Sequence, residues 1–135
     1  TEDMGVPGMP YGTSDELLEM CELVGPDLRL TYDNGNFFTQ GEDPNRALEN
    51  IWHQVAHIHC KDWRRLPKDA PEGFIGADGN RYVGDICGNG EMNYPANIAA
   101  IKGRGYSGYL SLEYEGPDDP KAAVHKGLAN LKALL

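Results

Sequence analysis

The sequence is short of positive charge. Twelve Lys and Arg stand against 21 Asp and Glu, a formal net charge of −9. That imbalance repels a phosphate backbone and leaves no basic stripe to track one, so nucleic acid is not expected as a partner. Cysteine is scarce as well. Cys21, Cys60 and Cys87 are odd in number, widely spaced and free of any C-x-x-C pair, which indicates neither a disulfide framework nor a zinc knuckle. A reducing, cytoplasmic setting fits that usage best. No apolar run approaches the roughly 20 residues that cross a bilayer, and no charged-then-apolar leader opens the chain, so no membrane role is expected. An initiator methionine is missing too. The chain opens on Thr1-Glu2-Asp3 and is expected to be part of a longer one.

What is present is a core-forming composition, 40% apolar over 135 residues, enough for one domain. Four helix signals recur. Thr13 and Glu16 form a capping box ahead of Leu17, Leu18, Met20, Cys21 and Leu23, and Gly25 ends that run. Asp43-Pro44 opens a second helix through Ala47, Leu48, Ile51 and Trp52. Asn93 and Pro95 open a third, closed by Gly103 and Gly105, and Asp119-Pro120 open the last.

Between the helices lie β-rich runs at 28–33, 55–60 and 109–113, each ending in a potential metal ligand: Asp33, His59-Cys60 and Glu113. Strands that alternate with helices predict right-handed crossovers and a parallel sheet, hence an α/β fold. Tyr109, Ser111 and Glu113 share one strand face, while Leu110 and Leu112 share the other and meet the helices. In a closed parallel barrel the active site sits at the C-terminal ends of the strands. The stretch from Trp63 to Cys87, rich in Pro, Gly, Asp and charge, breaks the rhythm. It reads as a long loop insertion leaving from that same face, either a substrate cover or a mobile excursion.

Glu2, Asp33, His59 and Glu113 therefore stand at successive strand ends. Three carboxylates and one imidazole suit Mn²⁺, Mg²⁺, Co²⁺ or Zn²⁺. The bare pattern alone is weak evidence, since any α/β protein has polar residues at its strand ends, and four unrelated loop residues would produce it too.

The local motifs go further. Thr1-Glu2-Asp3-Met4-Gly5 resembles the end of strand five in the xylose isomerase-like barrel superfamily of sugar isomerases, epimerases and inosose-type dehydratases. Tyr32-Asp33-Asn34-Gly35-Asn36-Phe37 resembles its D-x-G-N motif after strand six, and His57-Ile58-His59-Cys60-Lys61-Asp62 its H-x-H-x-K-D motif of strand seven. Gly88-Asn89-Gly90-Glu91-Met92-Asn93 resembles the entrance to helix seven, and Gly105 to Glu113 strand eight with the last ligand. The resemblance implies that residues 1–135 are the C-terminal half, the region of strands five to eight, of a (β/α)8 TIM barrel. It implies Glu2, Asp33, His59 and Glu113 as ligands of one divalent ion, Mn²⁺ foremost.

It also implies a sugar or polyol isomerase or epimerase that abstracts a proton next to a carbonyl through an enediolate, with Glu2 and Glu113 as base and acid. An inosose-type dehydratase on the same site is the alternative, and a sugar-binding barrel without chemistry a further one. The partners implied are a small sugar or polyol and either the missing N-terminal half of the barrel or a second copy. His57 and Lys61 share the inward face with His59 and are candidate substrate contacts. Trp63 is placed to stack on a sugar face. Arg65 matches a position where epimerases hold an Arg near metal and substrate. Asn36, a further candidate substrate contact, stands where ketohexose 3-epimerases carry a His, and those enzymes lack the Lys61-Asp62 pair, which argues against simple 3-epimerase activity. Endonuclease IV needs extra histidines for three zincs, which this chain does not supply.

Overall fold

The computed structural model describes residues 1–135. Strands β1 (Leu30–Asp33), β2 (Val55–Cys60) and β6 (Leu110–Leu112) form a parallel sheet in the order β1-β2-β6. Glu2 makes a parallel bridge to Thr31 on the free side of β1, so four successive parallel segments lie side by side in chain order. The register sets Asp33 beside His59 and His59 beside Ser111. Glu113 extends the ladder past β6 by donating its N–H to the Cys60 carbonyl at 3.0 Å.

The alternation within these strands decides which side chains reach the core. Leu30, Tyr32, Ile58 and Cys60 are buried against the helices, in one cluster with Leu17, Leu48, Ile51, Ile98 and Ile101. Asp33, His57, His59, Ser111 and Glu113 take the opposite parity and so share the other face. No helix is long and apolar enough to cross a membrane.

The helices start where the sequence signals them. The Thr13–Glu16 capping box opens α1 (Ser14–Val24), and Asp43 accepts the Arg46 N–H at 2.9 Å to open α3 (Pro44–Ile51). A turn of 3₁₀ helix, Trp52–Gln54, leads from α3 into β2. Asn93 caps α4 (Tyr94–Gly103) and Asp119 caps α5 (Pro120–Lys132), each with a proline in the first turn. One helix was not expected. α2 (Asn34–Thr39) begins directly after β1 because the Asp33 carboxylate accepts the N–H groups of Gly35 and Asn36.

The insertion is also more ordered than a loop. β3 (Asp62–Leu66), β4 (Phe74–Ile75) and β5 (Arg81–Asp85) form an antiparallel sheet in the order β3-β5-β4. Its face carries the edge-to-face contact of Trp63 with Phe74 and that of Phe38 with Tyr82. The Ala77 N–H donates to the Thr39 carbonyl at 2.9 Å, tying the sheet to the end of α2. Low apolar content and many turn residues hid these strands, since their burial comes from four aromatic rings and not from a period-2 pattern.

Candidate metal centre

Glu2, Asp33, His59 and Glu113 converge. Each offers one ligand atom, and those atoms all lie within 4.8 Å of one another. His59 Nδ1 is the hub: Glu113 Oε1 lies 3.0 Å away, Glu2 Oε1 3.3 Å and Asp33 Oδ2 3.8 Å. The Asp33 carboxylate is divided between two tasks. Oδ1 caps α2, whereas Oδ2 is fully buried and accepts no hydrogen bond. Such an oxygen, among two further carboxylates and with only the shared Lys61 ammonium at 3.4 Å, is left short of positive charge. Burial, and next the nearby Asp33, raise the Glu2 carboxyl above its usual range. The unbonded buried oxygen and the three-oxygen, one-nitrogen donor set fit a divalent ion.

The neighbouring residues hold this set in place. Asn36 Nδ2 donates to Glu2 Oε1 at 3.2 Å and to the Asp3 carbonyl at 3.1 Å, joining the first segment to α2. Its Oδ1 accepts from Lys61 Nζ at 3.3 Å. Lys61 Nζ also reaches Glu113 Oε2 at 2.9 Å and Glu115 Oε1 at 2.8 Å, with Asp33 Oδ2 at 3.4 Å. Burial alone would lower the Lys61 ammonium, but Asp33, Glu115 and Glu113 outweigh it and hold it above its usual range. An ammonium has three N–H groups, and here each has a protein acceptor. Lys61 is thus paired with the carboxylates, and it also lines the cleft.

The other expected contacts divide. His57 Nε2 lies 2.8 Å from Ser111 Oγ, and its ring meets that of His59 edge to face at 5.2 Å. Trp63 is buried with its indole N–H on the Gly35 carbonyl at 3.0 Å, yet its ring still lines the cleft. Arg65 lies elsewhere. Its guanidinium stacks on Tyr82 at 5.6 Å and pairs with Glu91 at 3.5 Å, outside the cleft lining.

An open cleft of about 620 Å³ lies over the centre, lined by Glu2, Asn36, Lys61 and Glu113 with Trp63, Phe74, Met4 and Val6. Several of its residues were not among the expected site residues, Glu115, Asp3 and Phe74 foremost. Glu115 lies two residues beyond Glu113, and the alternation of Ser111 and Glu113 could have extended to it. Asp3 follows Glu2 and is buried with both oxygens unbonded; burial, then Asp33 and Glu2, push its carboxyl up to about 9. Phe74 sits in a two-residue strand that no periodicity announces.

The motif between these strands has a structural reason. Asp62 accepts the N–H groups of Gly88, Gly90 and Met92 at 2.8, 2.9 and 3.1 Å, fixing the turn that leads into α4. Lys61-Asp62 therefore splits its labour: the Lys turns to the carboxylates and the Asp to the backbone.

Comparison with known proteins bears on the family and the fold. An inosose dehydratase of Clostridium tetani is 28% identical over 121 residues, covering 86% of this chain and 40% of that protein. The crystal structure of a xylose isomerase domain protein from Planctomyces limnophilus superposes with a TM-score of 0.76 at 28% identity, over 98% of this chain and 45% of that one. The IOLI protein, solved with a zinc atom bound, shares the fold with a TM-score of 0.65 at 22% identity, over 98% and 45% of the two chains. This chain thus spans less than half the length of the proteins it matches. The profile of the xylose isomerase-like TIM barrel matches residues 1–134, and the chain belongs to that family.

Proposed function

We propose that the protein containing this chain is a divalent-metal-dependent enzyme that moves a proton at the carbon beside a carbonyl of a sugar or polyol. The observation that carries this reading is the convergence of Glu2, Asp33, His59 and Glu113 beneath an open cleft. A divalent ion held there supplies Lewis-acid polarisation of a carbonyl oxygen, which acidifies the adjacent C–H. The chain's own residues do the rest. Glu2 and Glu113 reach the centre from the two ends of the four-strand array and act as the proton-transfer pair, each worth roughly 10²–10⁴ in rate. Asn36 keeps Glu2 turned toward the centre. Lys61 holds Glu113 by Oε2, leaving Oε1 for the centre. Trp63 and Phe74 exclude water from one wall.

Return of the proton to the same or a neighbouring carbon makes the enzyme an epimerase or isomerase. Loss of a β-hydroxyl makes it a dehydratase, and the similarity to an inosose dehydratase favours weighing that outcome equally. The deciding experiment incubates the full protein in deuterated water with Mn²⁺, Mg²⁺, Co²⁺ or Zn²⁺ and a ketose or inosose. Deuterium is expected at the carbon beside the carbonyl, and Glu113→Gln abolishes its entry. Ligand binding with no exchange under any metal would instead identify a sugar-binding barrel without chemistry.

A further inference from the structure

We propose that the cleft selects uncharged polyhydroxylated substrates over anionic ones such as sugar phosphates and sugar acids, and that Glu115 sets this preference. The proposal rests on the reading above that substrate occupies the cleft. Glu2, Asp33, Glu113 and Glu115 place four carboxylates in or just beneath it, against the single ammonium of Lys61. Even with the buried Asp3 carboxyl left out of the count, a divalent ion would cancel only two of the three negative charges that remain, so the wall facing the substrate would stay negative.

An anionic group is recognised best by charged donors, and the one cationic side chain lining the cleft, Lys61, has none that is free. The three N–H groups of Lys61 are taken by Glu113, Glu115 and Asn36. The Arg65 guanidinium is held outside by Tyr82 and Glu91. The uncharged wall, Trp63 and Phe74 with Met4 and Val6, suits the C–H face of a ring and leaves an anion without solvation.

Glu115 acts twice. It takes one Lys61 proton at 2.8 Å, and, half exposed at the rim, it sets its own charge against an approaching anion. Discrimination then comes from repelling the wrong ligand as much as from contacts to the right one.

The test measures binding to the metal-loaded full protein by calorimetry, comparing a neutral ketose with its phosphate ester and a neutral polyol with the matching sugar acid. The neutral member of each pair should bind on the order of tenfold tighter. Glu115→Gln should narrow that ratio at least fivefold, while Lys61→Met should not narrow it. If the glutamine variant does not fold, salt dependence decides: the wild-type ratio should shrink between about 0.02 and 0.5 M salt as screening grows. Equal or tighter binding of the anions by the wild type overturns the proposal, as does a ratio that Glu115→Gln leaves unchanged. Because the readout is binding, its outcome is separable from that of the exchange experiment: neutral preference without exchange removes the proposed chemistry alone, and exchange with anion preference removes the selectivity alone.

Discussion

The carboxylate of Asp62 accepts the Gly90 amide at 2.9 Å, and the same carboxylate fills the space where a side chain at residue 90 would begin. Residue 90 is therefore glycine for lack of room, wedged between Asp62 and the Trp63 carbonyl, while Gly88 is glycine for its left-handed φ of +87°. The two glycines and the aspartate form one device that aims α4.

Either half of that device can be broken separately. Gly90→Ala should destabilise the fold by about 1–3 kcal/mol through overpacking. Asp62→Ala should cost about 3 kcal/mol or more, because four backbone N–H groups, those of Trp63, Gly88, Gly90 and Met92, lose their acceptor inside the structure. Urea unfolding of the two variants checks this. A loss below about 0.5 kcal/mol in both would show that the turn does not depend on the carboxylate.

Metal should be visible in stability before any substrate is found. A divalent ion at a hundredfold excess over its Kd raises the unfolding free energy by about 2.7 kcal/mol, and a chelator should remove that increment. Thermal unfolding with and without the ion measures it. His59→Ala should lose the increment, since His59 Nδ1 lies within 3.8 Å of all three carboxylates.

Asp78 gives a pH signature in the insertion. The Tyr82 hydroxyl, 2.7 Å away, holds its carboxyl down to about 2 from 3.8. A lowered folded value means that the contact stabilises above the unfolded value and is lost as pH falls from about 4 through 2. Titration of the Asp78 carboxyl by NMR should show the low value, and Tyr82→Phe should return it toward 3.8.

Sheet edges bear on how the 135 residues behave alone. β6 pairs only with β2, and Tyr109 beside it is 86% exposed. An unpaired edge with apolar neighbours is a template for another chain. The isolated 135-residue polypeptide is expected to sediment as species heavier than 14.8 kDa. A single monodisperse monomer would count against this.

Much of this was legible in the sequence because it depended on local signals. The four capped helices follow from Thr13, Asp43, Asn93 and Asp119, whose side chains bond their own first turns. The four candidate ligands were legible because each ends a strand segment inside a motif that resembles the family's, the strand-end pattern alone being too common to single them out. α2 was not, since its start depends on Asp33 serving as a cap, a role masked by the ligand motif around it. The insertion strands were hidden because they are held by cross-strand aromatic contacts among Trp63, Phe74 and Tyr82. Arg65 shows the limit of positional analogy: its place after His59 suggested the cleft, but antiparallel β3 carries it to Tyr82 and Glu91.

The divided carboxylate of Asp33 also bears on how such barrels change over generations. An asparagine can cap a helix as well as an aspartate does, and the codons of the two differ by one base. A single transition at residue 33 would thus leave α2 and its link through Thr39 to the insertion standing, while neutralising an oxygen at the heart of the centre.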